Sequence, residues 1–284
     1  MSVILSEVKY TYMPKTPFEK IALHDVNLEI NEGEILAVIG PTGSGKTTLL
    51  QHINGLLRPD SGEVVIDGEK ITKKNVIAMR RKIGYVFQYP EQQLFEETVF
   101  KDIAFGLKRL DLSEDEIKAR VYETADLVGI RHDLLERSVF ELSGGEKRRV
   151  AICGVLVTKP KYLMLDEPAS GLDPEGRRAV LKLLQKFRDA GITVIFVSHN
   201  MNDVAEIADR IIVLNEGTVI EKGAPREVFS KYELLTGIGL SVPDVTEFFR
   251  LLSAGTGTPV PEIITVDEGF AYLRDVMEKG GIPI

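Results

Sequence analysis

The segment Gly40-Pro41-Thr42-Gly43-Ser44-Gly45-Lys46-Thr47 constrains this chain more than any other. It fits the pattern G-x-x-x-x-G-K-[ST]. It follows the apolar run Ile35–Ile39 and opens an expected helix over Thr47–Leu57, which is the strand–turn–helix context that the pattern needs. Glycines let the backbone curl so that successive N–H groups point at phosphate oxygens. The helix N-terminus, from Thr47 and Thr48 onward, adds the positive end of a dipole. Lys46 supplies a point charge to the β- and γ-phosphates of a nucleotide, and the Thr47 hydroxyl is a magnesium ligand. A glycine-rich turn without a ligand is the weaker reading once motif and context occur together.

A second chemical signal is Tyr162-Leu163-Met164-Leu165-Asp166-Glu167, an apolar strand ending in two carboxylates. Acid presented at the end of a buried strand suits a magnesium-holding Asp166. Glu167 would then face the γ-phosphate and polarise the attacking water.

Short strands rich in Val and Ile alternate with helical stretches over most of the chain. Val3–Tyr10, Ala22–Ile30, Ile35–Ile39, Val64–Ile66, Ile83–Phe87, Tyr162–Leu165, Val194–Val197 and Arg210–Leu214 read as strands. The continuous apolar ones suit a parallel sheet buried on both faces. Ser113 and Glu116 form a capping-box pattern ahead of Ile117, Val121, Ala125 and Val128 at helical spacing. Residues 89–157 therefore read as a helical subdomain inserted in an α/β core. After Pro225 the pattern is helical again. Val245, Phe248, Phe249 and Leu252 are expected on one face of a helix after Pro243. Thr265 and Glu268 are expected to box a second helix, with Gly255–Pro261 as a flexible joint.

The remaining numbers exclude classes rather than choose one. A net charge of −8 argues against a nucleic-acid binder, which needs clustered cations. Cys153 is the one cysteine, so no intrachain disulfide forms, which fits a reducing compartment. No signal peptide is expected in residues 1–12. No apolar run approaches the roughly 20 residues that cross a bilayer, so the chain is not expected to form a pore by itself.

Leu142-Ser143-Gly144-Gly145-Glu146 resembles the LSGGQ signature of ABC ATPases, with Glu146 where Gln is usual. Gln88 resembles that family's Q-loop, Ser170-Gly171-Leu172-Asp173 its D-loop, and His199 its switch histidine, all in the family's order over roughly residues 1–230. The resemblance implies an α/β fold: an ABC-type nucleotide-binding core with a mixed sheet, an inserted helical subdomain and a C-terminal helical tail. It implies ATP and magnesium as ligands, with Gly40–Thr48 and Ser143, Gly144 and Gly145 binding nucleotide. Thr47, Gln88 and Asp166 hold the metal, and Glu167, His199 and Gln88 serve catalysis. An aromatic residue near the N-terminus stacks on adenine in such proteins. Tyr12 is the candidate, with Tyr10 as the alternate. The signature is implied to serve the phosphate loop of a second ATPase subunit, a related chain or a copy of this one.

The segment Gln88-Tyr89-Pro90-Glu91-Gln92-Gln93-Leu94-Phe95-Glu96-Glu97-Thr98-Val99 and the run Arg148-Arg149-Val150-Ala151-Ile152 look like the energy-coupling factor branch, and like the second of its two ATPase types. That branch implies uptake of vitamins or metal ions. A membrane scaffold and an exchangeable substrate-binding membrane protein would be its partners, and the cytoplasmic face of the membrane its location. The alternatives are another ABC transporter type or an ABC ATPase outside transport. Two placements stay open for Phe87, Tyr89, Leu94 and Phe95: docking a membrane partner, or filling the core of the helical subdomain. Two also stay open for the tail over 231–284: pairing two ATPases, or packing on its own cassette.

Overall fold

A computed structural model describes residues 2–257 and 261–278. The strand Ile35–Ile39 (β3) lies inside it with every residue fully buried. Before it come β1 (Ser2–Tyr12) and β2 (Lys20–Asn31). After it the chain runs through α1 (Lys46–Ile53), β4 (Ser61–Ile66), β5 (Glu69–Lys70), α2 (Val76–Lys82) and β6 (Ile83–Val86). Three helices follow, α3 (Val99–Ala104), α4 (Glu114–Val128) and α5 (Gly144–Leu156). The core resumes with β7 (Tyr162–Asp166), α6 (Pro174–Asp189), β8 (Thr193–Val197), α7 (Met201–Ile207), β9 (Arg210–Asn215) and β10 (Thr218–Gly223). The tail is α8 (Pro225–Phe229), α9 (Tyr232–Gly237), α10 (Asp244–Thr256) and α11 (Val266–Glu278).

Two sheets result. One is antiparallel, in the order β2-β1-β4-β5, and the other has the order β10-β9-β3-β8-β7-β6. In the second, β9, β3, β8, β7 and β6 are parallel, and β10 pairs antiparallel with β9 at the edge, so the sheet is mixed. Side chains alternate across it. Ile35, Ala37 and Ile39 of β3 enter one apolar core, with Leu163 and Leu165 of β7 and Phe196 of β8. Leu36 and Val38 enter the other, with Met164, Ile195 and Val197. The first core is closed by α6, α7 and the helical subdomain, and the second by the antiparallel sheet and α1. Burial on both faces explains why these strands are apolar without interruption.

The predicted strands are present, most with shifted ends. β1 extends to Tyr12, and Phe87 lies past the end of β6. Helix α1 ends at Ile53 rather than Leu57, and Asn54 and Gly55 turn the chain away. The edge strands β5 and β10 are absent from that reading. The capping box of Ser113 and Glu116 forms, and Gly129 closes α4 with φ of 78°. Cys153 of α5 is fully buried, which pushes its thiol pKa up.

The tail departs from expectation in two ways. The apolar face drawn through Val245, Phe248, Phe249 and Leu252 splits. Phe249 is 3% exposed and packs edge-on to Tyr272 of α11, whereas Phe248 is 53% exposed. The reason is Gly269, where α11 crosses α10: a Cβ there would come within 2.8 Å of Val245 and 2.9 Å of Phe249. Phe248, about 100° further round the helix, is left outside. The second box is half formed. Thr265 Oγ1 accepts from Glu268 N–H, but the Glu268 carboxylate turns to Ile264 N–H and to the Arg226 guanidinium. Gly257 ends α10 in a left-handed conformation, and residues 258–260 of the expected joint lie outside the described residues. Packing also continues across residue 230, for Phe229, Leu235, Leu240 and Val242 share the first core.

Candidate functional site

The phosphate loop hangs between β3 and α1. Gly45 is the N-cap of α1 at φ of 105°, and a Cβ there would lie 2.5 Å from the Ala22 carbonyl oxygen, so only glycine fits. The turn between β9 and β10 braces the loop, since Gly217 N–H donates to the Ser44 carbonyl at 2.9 Å. Lys46 is buried, and its Nζ donates to the carbonyls of Gly40 and Pro41 at 2.8 and 2.9 Å. Burial lowers the ammonium's pKa, while Glu167 and Asp166 pull it back up. A cation held by carbonyls in a poorly solvated loop is a strong attractor for phosphate oxygens.

The carboxylates arrive from β7. Thr47 Oγ1 donates to Asp166 Oδ2 at 3.0 Å, which puts two hard oxygen ligands side by side. The Tyr85 hydroxyl lies next to Asp166, and burial together with that charge pushes its pKa up. Glu167 takes left-handed backbone, φ 52°, at a cost on the order of 1 kcal/mol for a residue with a side chain. Its N–H donates to the Val197 carbonyl of β8, and its Oε1 lies 2.8 Å from His199 Nε2. Strand ends of the parallel sheet thus deliver acid and histidine to one edge, where open α/β sheets bind ligands.

A cleft of about 480 Å³ gathers Tyr12, Thr42, Gly43, Gly45, Lys46, Thr47, Thr48, Gln88, Asp166, Glu167 and His199. Lys20 and Ala22 of β2 line it too. Neither was foreseen, since a lysine opening a strand carries no motif. Gly40, Pro41 and Ser44 sit behind the lining, with Ser44 buried. Tyr12 is half-buried, its hydroxyl 3.2 Å from Thr48 Oγ1 and its ring edge-on to Tyr10, so both aromatic candidates are near the rim and Tyr12 lines it.

Ser143, Gly144 and Gly145 do not line this cleft. They open α5, where Ser143 is the N-cap. Its N–H and hydroxyl both donate to Glu146 Oε2, at 2.9 and 2.7 Å, and its Oγ accepts from Glu146 N–H at 3.4 Å. These bonds lower the Glu146 pKa. The carboxylate in place of glutamine thus completes a capping box.

Comparison with known proteins agrees with this geometry. Residues 23–170 match the family model described as ABC transporter. The chain is 50% identical to the energy-coupling factor transporter ATP-binding protein EcfA2 of Caldanaerobacter subterraneus, over 96% of this chain and 98% of that protein. With its namesake from Clostridium perfringens it shares 49% identity, over 98% and 99%. Among solved structures, cbiO1 from Clostridium perfringens, described as part of the ABC transporter complex cbiONQ, superposes with a TM-score of 0.76 at 39% identity, covering 87% of this chain and 98% of that one. The ATP-binding cassette MJ0796, a dimer bound to ADP and phosphate, superposes with a TM-score of 0.69 at 32% identity, over 78% and 98%. The chain belongs to the ABC transporter family and, within it, to the ATP-binding proteins of energy-coupling factor transporters.

Proposed function

We propose that the chain binds ATP in this cleft and hydrolyses it once a second ATPase subunit closes over the γ-phosphate, energising uptake of a vitamin or metal ion through separate membrane subunits. The observation that carries the reading is the meeting, in one cleft, of the phosphate loop, the Thr47–Asp166 pair and the Glu167–His199 pair. Lys46 exchanges its carbonyl partners for phosphate oxygens. Tyr12 stacks on adenine. The donor set of Thr47, Asp166 and Gln88 is all oxygen, as magnesium prefers, and a magnesium ion held there would supply positive charge to the phosphates. Glu167 polarises the attacking water, and His199 holds its carboxylate and contacts the γ-phosphate. Ser143, Gly144 and Gly145 complete the site of the second subunit.

Glu167→Gln tests the assignment. ATP binding should persist while hydrolysis falls by roughly 10²–10⁴. The paired state should then accumulate in size-exclusion chromatography with ATP. Turnover at the wild-type rate would remove Glu167 from the role.

We assign residues 1–230 to the cassette, with 89–157 as its helical subdomain, and residues 231–284 to a tail that pairs two ATPases. The tail packs on the cassette through Leu235, Leu240 and Val242, yet Phe248, Leu251, Phe270 and Met277 stay exposed on α10 and α11, which supports pairing as its further role. Phe87, Tyr89 and Phe95 are exposed on and around the segment after Gln88, and Phe95 stacks edge-on with exposed Phe105 at 4.8 Å. Leu94 packs against the first core, whereas the three exposed aromatics suit a docked membrane partner. Among the described residues no helix is long and apolar enough to cross a membrane. On this reading the chain works through separate membrane subunits and sits peripherally, at the cytoplasmic face.

A further inference from the structure

Arg148 is 2% exposed, and the phosphate chemistry gives it no role. It sits in α5, one turn beyond the Gly144–Gly145 pair. Its Nε and Nη2 grip the two oxygens of Glu91 at 3.1 and 3.4 Å, and its Nη1 donates to the Ser170 carbonyl at 2.8 Å. A buried ion pair is weak evidence of stability, because apolar packing of the same volume does as well or better. What a guanidinium adds is a rigid, planar fork that fixes two partners relative to one another.

The two partners belong to different parts of the machine. Glu91 lies in the short turn Pro90–Gln93, between Gln88 and the exposed Phe95. That turn is tied into the helical subdomain further on, where the Phe95 and Glu96 amides both donate to the buried carboxylate of Asp102 at 2.9 Å. Ser170 lies in the loop that leaves Glu167. Its N–H donates to the Glu167 carbonyl at 3.2 Å, and three residues later Asp173 caps α6. Besides the β6–β7 pairing, a second path from the segment after Gln88 to the loop of Glu167 runs through this one side chain.

We propose that Arg148 is a positioning residue that locks the partner-facing segment 88–95 to the loop carrying Glu167. Displacement of that segment by a membrane subunit is then transmitted to the catalytic carboxylate. This rests on the reading of segment 88–95 as the docking surface. Arg148 does not line the nucleotide cleft and acts through Glu91 and the Ser170 carbonyl.

Two measurements test it. In the isolated chain, Glu91→Gln should speed hydrogen exchange at the amides of Ala169, Ser170, Gly171 and Leu172 by about threefold or more, leaving α1 unchanged. Unchanged rates in that loop, or a uniform rise over the whole chain, overturn the link. In the complex purified with its membrane subunits, hydrolysis is measured relative to the isolated ATPase. Arg148→Met should bring that ratio to about one with MgATP affinity retained, and Arg148→Lys, which keeps the charge but not the fork, should do the same. A wild-type ratio of one overturns the docking reading itself. A wild-type ratio above one that both variants retain overturns the Arg148 link and leaves docking standing.

Discussion

Two glycine-rich helix N-termini, those of α1 and α5, look alike on paper and differ in what their glycines are for. At α1, Gly45 is forced by its own chain, since its φ of 105° and the Ala22 carbonyl exclude a side chain. At α5, Gly144 has helical backbone and nothing within 4 Å of the place a Cβ would take, and Gly145 meets only the end of Arg149 at 4.0 Å. No neighbour in this chain demands glycine there. The first terminus is a finished half of a site, with lysine, hydroxyl and carboxylates already converging. The second is capped by Ser143 and Glu146, and the proposed function assigns it to the nucleotide of a second subunit.

The contrast breaks most readily by adding one methyl group to each terminus. Gly45→Ala should destabilise the isolated chain by roughly 2–5 kcal/mol, read as a lowered denaturation midpoint. Gly144→Ala should leave stability the same or raise it by up to about 1 kcal/mol, since alanine favours helix, yet should weaken ATP-driven pairing. Equal destabilisation by the two would erase the distinction.

Lys46→Ala comes next. Loss of a charge-assisted phosphate contact should cost on the order of 1.5–3 kcal/mol, a fall of roughly 10- to 150-fold in ATP affinity by titration of a fluorescent analogue. Unchanged affinity would show that the α1 terminus is not the nucleotide's anchor. Tyr12→Ala should cost about 0.5–1.5 kcal/mol for ATP and much less for inorganic triphosphate, because only adenine loses its stacking face. A matching loss for both ligands would point to a folding defect.

The smallest effect concerns Glu146. Glutamine can still accept from Ser143, so the cap survives, but the charge at the terminus proposed to meet phosphate is gone. In a Glu167→Gln background, Glu146→Gln should lower the ATP concentration for half-maximal pairing by about two- to fivefold, corresponding to roughly 0.4–1 kcal/mol. A rise in that concentration would mean that the carboxylate serves the pair as well as the cap.

What the sequence reveals follows from where a residue gets its instructions. β3 is legible to the residue, because burial on both faces leaves an unbroken apolar run closed by a glycine motif. β10 is not: its Thr-Val-Ile-Glu-Lys-Gly run is an edge strand, half-buried and mixed in character, and its pairing depends on the turn at Gly217. The phosphate-loop, acidic and histidine residues of the cleft are readable because each belongs to a motif, Tyr12 only as one of two N-terminal aromatics, whereas Lys20 reaches the cleft only because β2 passes beside it. Arg148 stands out in Arg148-Arg149-Val150-Ala151-Ile152 as part of a branch resemblance, but its burial against an acid 57 residues earlier cannot be read from that run. Phe248 and Phe249 are neighbours in sequence, and the crossing at Gly269 decides which of them stays outside.

The burial of Cys153 has a practical consequence. Thiol reagents attack the thiolate, and here the thiol is both enclosed and held protonated. To an alkylating dye or spin label the folded chain therefore behaves as though it had no cysteine. A cysteine placed at Phe248 or Phe95 would be the one reactive handle, and distances between labelled partners could be followed through a catalytic cycle without first replacing a native residue.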